Sequence, residues 1–329
     1  VRADTLTWTG MTGDWAAVEN WTNWASPEDT RVPADGDDAV ISQAGALAIL
    51  SAPTPWLGSV TVSNATLTMS NWDTLLSATN VTIASGGVLT CYGPFTNGTF
   101  ATNRVNLLCS NLLIEAGGAI DVNGKGWAGG LTLVQGVYKQ GHGPGGCRLY
   151  FGASYGGAGY GQSPTSLYGS VTAPLDPGSG GNGGNYTNQY GGAGGGAVCI
   201  SAVQVVINGS INAGGSNGLS NGSHVGGGSG GGVYIACSTL AGTNGTVTAN
   251  AGEPKGLGKG SGGGRIAVVY DLVAQAAMPL PSIRFAAAPS LSGGSGGIYT
   301  PGDIGTLYFP DSQLFSPTNL FTGQWCAPG

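Results

Sequence analysis

Of the 329 residues, 64 are glycine and only 8% are charged, yet 41% are hydrophobic, with eight Trp and twelve Tyr. That combination excludes a disordered chain, which is poor in apolar residues and rich in net charge, and collagen, which needs glycine at every third position over long runs. Ten basic against sixteen acidic residues, a net charge of −6, argue against a nucleic-acid partner, and no stretch reaches the ~20 apolar residues of a membrane-spanning helix.

Residues 1–38 hold four of the eight Trp (Trp8, Trp15, Trp21, Trp24) and eight of the sixteen acidic residues. They read as a cap whose flat rings cover the open end of a repetitive core. The opening VRADTLTWTG has neither the charged start nor the apolar run of a signal peptide, so an exported chain would begin here as a mature form. Asp35, Asp37 and Asp38 could offer oxygen ligands to Ca²⁺, but their spacing departs from the EF-hand pattern. A turn that opens the first core strand is the expectation, and no cofactor is expected.

From Ala39 to about Gly130, short runs such as AVISQ, SVTVS, NVTIA and GVLTC alternate apolar and polar residues between Gly, Asn, Ser or Pro. These are strand signals. DLVAQAAM (271–278) is the one modest helix candidate. An internal repeat organises the rest. Glycine bursts followed by a β-run end at Gly196, Gly232, Gly264 and Gly297, steps of 36, 32 and 33 residues. A second motif recurs between them as INGSINAGG (207–215) and TNGTVTANAG (243–252), with an earlier copy in EAGGAIDVNGKG (115–126). A fixed period of this size predicts a stacked array in which each unit buries its apolar face against its neighbours.

Bursts such as GGGSGGG carry no side chains, so backbones can lie side by side as extended, polyproline-II-like strands held by N–H···O=C and weaker Cα–H···O contacts. The expected fold is all-β: a right-handed parallel β-helix, or β-solenoid, over 39–300 with a glycine-rich layer packed on it and a C-terminal cap or tail over 301–329. Residues 131–190 read as an irregular insertion. It holds Tyr150, Tyr155, Tyr160, Tyr168, Tyr186 and Tyr190, which could form a recognition surface or simply cover glycine backbone.

The six cysteines are even in number and form no CxxC pair, which suits an oxidising setting better than a zinc site. Cys91 and Cys109 lie 18 residues apart, close to one coil, and are the first candidates for a disulfide. Cys199 and Cys237, one repeat apart, are the second.

The opening W-x-G…GDW…NW…P-x-D-G-D-D-x-V-I and the repeated INGSINAGG…GGGSGGGVYI resemble glycine-rich right-handed parallel β-helix proteins of bacterial surfaces, the autotransporter-passenger-like and adhesin-like exported proteins. The resemblance covers most of residues 1–300 and implies the solenoid fold and an extracellular or cell-surface location. It leaves activity open, since that fold hosts adhesins, structural proteins and polysaccharide-cleaving enzymes.

Chemistry is sparse. Residues 177–252 contain no Asp, Glu, Lys or Arg, so the central coils cannot supply a carboxylate pair for glycoside hydrolysis. Glu115 and Asp121 are the nearest pair in sequence, with a turn at Gly117–Gly118 expected between them. His142 and His224 lie in glycine loops without a triad pattern. Trp72, Trp127 and Trp325 could stack on sugar rings or pack in the core. The expected function is therefore structural and non-catalytic: an extracellular subunit that self-associates into a filament, sheath or surface layer. The extended N-terminus (Thr5, Leu6, Trp8) and the C-terminal residues Leu314, Phe315, Leu320, Phe321 and Trp325 would dock on a neighbour. The alternatives are an adhesin for glycan or a host surface, and a polysaccharide lyase or hydrolase.

Overall fold

The computed structural model describes residues 3–96, 101–137, 139–147, 149, 151–163, 166–219, 224–291, 300–315 and 319–326. The chain is all-β with mostly parallel sheets. In order, the strands are β1 (Thr5–Trp8), β2 (Thr12–Asp14), β3 (Trp21–Asn23), β4 (Asp38–Ile41), β5 (Leu47–Leu50), β6 (Leu57–Val62), β7 (Thr66–Met69) and β8 (Leu76–Ile83). They continue as β9 (Val88–Cys91), β10 (Val105–Ile114), β11 (Ala119–Asp121), β12 (Leu131–Thr132), β13 (Gln189–Tyr190), β14 (Ala197–Ile207), β15 (Ser210–Asn212) and β16 (Gly232–Ala236). The last are β17 (Thr239–Ala241), β18 (Thr243–Thr248), β19 (Arg265–Val269), β20 (Ser282–Ala286), β21 (Thr306–Tyr308), β22 (Leu320–Thr322) and β23 (Gln324–Cys326).

Two sheets share these strands almost alternately. One runs β3-β1-β4-β6-β8-β10-β14-β16-β19-β21-β23, with β17 paired to β14; the other runs β2-β5-β7-β9-β11-β15-β18-β20-β22. Each circuit of the chain thus lays a strand in the first sheet, then one in the second, an arrangement compatible with a β-solenoid. The alternating sequence pattern makes this possible, because every second side chain points between the sheets. Successive circuits are held in register, so like meets like: Ile41, Val62, Ile83, Ile114 and Ile207 form one stacked row in the first sheet. Leu67, Leu89, Ile120, Ile211 and Val247 form its counterpart in the second. All ten are buried to 1% exposure or less.

At the N-terminal end, β3 pairs antiparallel with β1. Trp21 packs edge-on against Trp8 at 5.2 Å and Trp15 at 4.7 Å, and its indole N–H donates to the Trp15 carbonyl at 2.7 Å. Trp24 stays out of the cluster, 70% exposed. The helix expected at 271–278 is found as Leu272–Ala276. Asp271 caps it by accepting from the Val273 and Ala274 N–H groups. Buried Gln275 exchanges two hydrogen bonds with the Leu240 backbone, satisfying β17 where no further strand covers it.

The glycine-rich segments connect the second sheet back to the first. Four excursions leave the second sheet and return to the first, and each is closed at its root by one 2.8 Å backbone bond: Gly196 N–H to Val122, Gly231 to Ala213, Gly264 to Ala249 and Gly305 to Ala287. Beyond these roots the segments bond one another in steps of three residues. Gly178 and Gly181 donate to Gly195 and Gly192; Gly192 and Gly195 donate to Gly226 and Ser229; Gly228 and Gly231 donate to Ser216 and Ala213; Gly260 and Gly263 donate to Thr300 and Asp303. Three residues per turn is the period of the polyproline-II conformation, whereas a sheet ladder repeats every two. One segment also meets more neighbours than a β-strand can. Residues 178–183 bond to 192–195, to 127–130, to 139–142 and to 226–229. Burial is accordingly continuous rather than alternating over 152–159, 177–184, 192–198, 225–233 and 260–268.

Only glycine fits such contacts. A Cβ on Gly195 would lie 1.9 Å from the Ala213 carbonyl oxygen and one on Gly263 1.9 Å from that of Ala287. Much of the segment expected as an irregular insertion belongs to this layer: Ser154 donates its N–H to Gly145, Tyr160 to Gly260 and Gly180 to His142. The sequence signal was missed there because its glycines are interrupted by Tyr, Ser and Pro.

The expected disulfides are not formed; all six cysteines are free thiols. Cys91 closes β9 in one sheet and Cys109 lies in β10 of the other, both buried in the core. Cys199 sits on the outer side of β14, between inward-facing Val198 and Ile200, while Cys237 packs against the core. Residue spacing placed these pairs in neighbouring circuits but could not say which side of the circuit each thiol takes. Burial pushes the Cys91, Cys109 and Cys237 thiols up to about 12.

Candidate functional site

An aromatic-lined cleft opens where the first sheet meets the glycine-rich segments. Its volume is about 580 Å³, and Trp72, Asp73, Ala101, Trp127, Pro144, Tyr168, Asp176 and Pro177 line it. Clefts of roughly 300–1,000 Å³ with apolar walls and a few polar groups are the usual form of small-ligand sites.

Each wall is fixed by a different part of the fold. Trp72 and Asp73 lie in the turn between β7 and β8. Arg104, just before β10, donates its Nε–H to the Trp72 carbonyl at 3.0 Å and sets its guanidinium over the Trp72 ring at 4.7 Å. Opposite, Trp127 belongs to the layer. Its N–H donates to Gly178 and its carbonyl accepts from Gly194, and its ring packs edge-on against Phe95 at 4.7 Å. A Cβ at Gly143 would come within 2.6 Å of the Trp127 ring, so a glycine there lets the indole lie against the backbone.

Tyr168 closes the third side. Its hydroxyl donates to the Pro177 carbonyl at 2.7 Å and lies 2.8 Å from the Ser179 hydroxyl, and its ring leans on buried Tyr155 at 4.7 Å. Arg265 sits behind, donating Nε–H to the Tyr168 carbonyl at 3.0 Å and Nη1–H to the Thr306 hydroxyl at 3.1 Å. Desolvation by this surround raises the Asp176 carboxyl above its ordinary range, opposed by the Arg265 charge. The aromatic rings offer flat apolar faces, and the two carboxylates offer hydrogen-bond acceptors between them.

A smaller groove of about 320 Å³ lies on the outer face of the first sheet, lined by Asn80, Thr82, Asn111, Leu113, Gln204 and Val206 among others. The Asn111 amide donates to Asn80 at 2.9 Å, and the groove has no aromatic wall.

The sequence candidates are dispersed. Trp72, Trp127 and Tyr168 come together; Trp325 is exposed at the other end of the stack, edge-on to Phe315 at 5.1 Å. Tyr155 is buried beneath the cleft, not a surface residue. Tyr160 (beside Lys259), Tyr186 and Tyr190 are exposed elsewhere in the insertion, and Tyr150 lies outside the described residues. Leu6 and Trp8 are in the core, because β1 pairs on both edges, with β3 and β4; they are not a docking strand. Leu314 is likewise buried, Phe321 packs against the core, and Phe315, Leu320 and Trp325 are the exposed members of that set.

Two of the three acidic candidates have other work, while Asp35 is exposed. Asp37 holds Arg31 and accepts from the Asp4 and Ala34 N–H groups, and Asp38 accepts from the Ser59 hydroxyl at 2.6 Å. No group of three or more His, Cys, Asp or Glu among the described residues is placed to hold a metal ion. Glu115 follows β10 and Asp121 ends β11, so the pair belongs to different sheets, with the expected turn between them. Asp73 and Asp176 were missed as a pair, since 103 positions separate them in sequence and only the excursion's fold closes that gap.

No protein-family model matches the chain, and neither does a curated protein or a solved structure. Among the described residues no helix is long and apolar enough to cross a membrane.

Proposed function

We propose that the chain is an exported, non-catalytic β-solenoid scaffold that binds glycan in the Trp72–Trp127–Tyr168 cleft. The observation that carries this is the convergence of three aromatic rings and two carboxylates on one cleft of about 580 Å³, drawn from segments far apart in a charge-poor chain. Sugars present C–H faces that stack on aromatic rings and hydroxyls that donate to carboxylates. The alternating strand order, the stacked aliphatic rows and the four closed roots support a parallel β-helix, taken here as right-handed, with a polyglycine-like layer. The resemblance to glycine-rich bacterial surface proteins supports an extracellular location. Binding stands ahead of self-association because Leu6 and Trp8, half of the docking scheme, are core residues.

A glycan array followed by titration calorimetry tests the proposal. Trp127→Ala is expected to weaken the best ligand about tenfold, the scale of one lost aromatic stacking contact. Trp24→Ala, outside the cleft, is expected to leave binding unchanged. Equal affinity in wild type and Trp127→Ala would move the site elsewhere, and release of reducing ends from the bound oligosaccharide would overturn the non-catalytic assignment.

A further inference from the structure

We infer that the cleft selects sugars carrying a free amine over neutral sugars and excludes uronic-acid and other anionic glycans. This rests on the glycan reading above and adds the ligand's charge class. The two charged residues among the described lining of the cleft, Asp73 and Asp176, are both carboxylates, and both are exposed. The nearby cations are committed elsewhere. The Arg104 guanidinium lies over the Trp72 ring and donates to its carbonyl. Arg265 is 5% exposed, lies over the Tyr155 ring at 5.4 Å and donates to Tyr168 and Thr306. Neither replaces a carboxylate as the group a ligand meets among the described lining residues. The whole chain is acidic as well, at −6, which disfavours the approach of anionic ligands at long range.

An aromatic wall with carboxylates on its rim treats three sugar classes differently. A neutral sugar stacks and donates hydroxyl hydrogen bonds to the carboxylates. An ammonium in place of one hydroxyl adds a charge-assisted bond, which is stronger than its neutral counterpart. A uronate brings like charge beside like charge and meets no cation among the described lining residues. Solvent screening at exposed carboxylates keeps the gain modest, about tenfold for the two together.

The experiment titrates the whole chain with three tetramers: a fully deacetylated chito-oligosaccharide, its N-acetylated neutral form and an oligogalacturonate. The deacetylated tetramer is expected to bind about tenfold tighter than the acetylated one, with the margin shrinking as salt rises, and the galacturonate is expected not to bind. In Asp73→Asn/Asp176→Asn the deacetylated and acetylated tetramers should bind alike, the ratio between them being the readout. Glu28→Gln/Asp35→Asn changes net charge equally at the N-terminal end and should keep the preference. Retention of the preference in the cleft variant, its loss in the remote variant, or binding of the galacturonate as tightly as the neutral tetramer would overturn the charge selection while leaving glycan binding intact. Failure of all three tetramers in an array-positive protein would also overturn the inference, and an empty array would remove the glycan reading with it.

Discussion

Gly228→Ala is expected to destabilise the chain by about 3 kcal/mol, the upper part of the range for overpacking a close-packed site. A Cβ at Gly228 would lie 1.9 Å from the Ala193 carbonyl oxygen and 2.3 Å from its carbon. Both are backbone atoms, and no side-chain rotation relieves the contact. The Gly228 backbone is also held on two other sides, donating to Ser216 and accepting from Gly252. Moving it away from Ala193 therefore lengthens bonds to two further segments. Gly45 provides the contrast. It sits in a turn at φ +77 with nothing within 4 Å of a built Cβ, so Gly45→Ala meets only the left-handed strain of about 1 kcal/mol. Chemical denaturation of the two variants separates them. Equal, small losses would mean that the layer yields freely and is not close-packed.

The second large effect is expected at the N-terminal end. Arg31 bridges Asp4 at 3.0 Å, Asp29 at 3.0 Å and both oxygens of Asp37, whose side chain is only 1% exposed. Burial pushes the Asp37 carboxyl up, but the Arg31 hydrogen bonds, the Asp4 and Ala34 N–H groups and the Arg31 charge outweigh it, so its net displacement is downward. Arg31→Ala leaves that carboxylate buried without its cation and is expected to lose about 3 kcal/mol near neutral pH. The pH dependence has a definite sign. A carboxyl whose folded pKa lies below its unfolded value of about 3.9 contributes stability that is complete above that value and is lost as pH falls through the folded pKa. The difference between wild type and Arg31→Ala should therefore hold from neutral pH down to about 5 and narrow below about 4. A difference that stays constant to about pH 3 would show that Arg31 acts through packing and not through Asp37.

Much of the architecture was legible because its signals are local. Alternation in NVTIA and GVLTC marked β8 and β9, and the glycine bursts ending at Gly196, Gly232 and Gly264 fell on or beside the root donors Gly196, Gly231 and Gly264. The fourth burst, ending at Gly297, did not; its circuit closes at Gly305, and Gly297 lies outside the described residues. Thiol positions were illegible because a cysteine's facing depends on its phase within a strand, which a spacing of 18 does not fix. The cleft was half legible. Trp72, Trp127 and Tyr168 stood out as aromatics in a glycine-rich chain, but their meeting depends on the excursion between Val122 and Gly196 folding back on the turn before β8. Asp73 and Asp176 carried no local pattern at all.

Amide hydrogen exchange across residues 192–196, 226–231 and 260–264 tests most directly whether the glycine segments are ordered walls of the circuits. Each of these segments donates backbone N–H groups to a neighbouring segment, so their amides should exchange as slowly as those of β10 and β14. Exchange at the rate of an unstructured peptide in these segments, with β10 and β14 still protected, would contradict it.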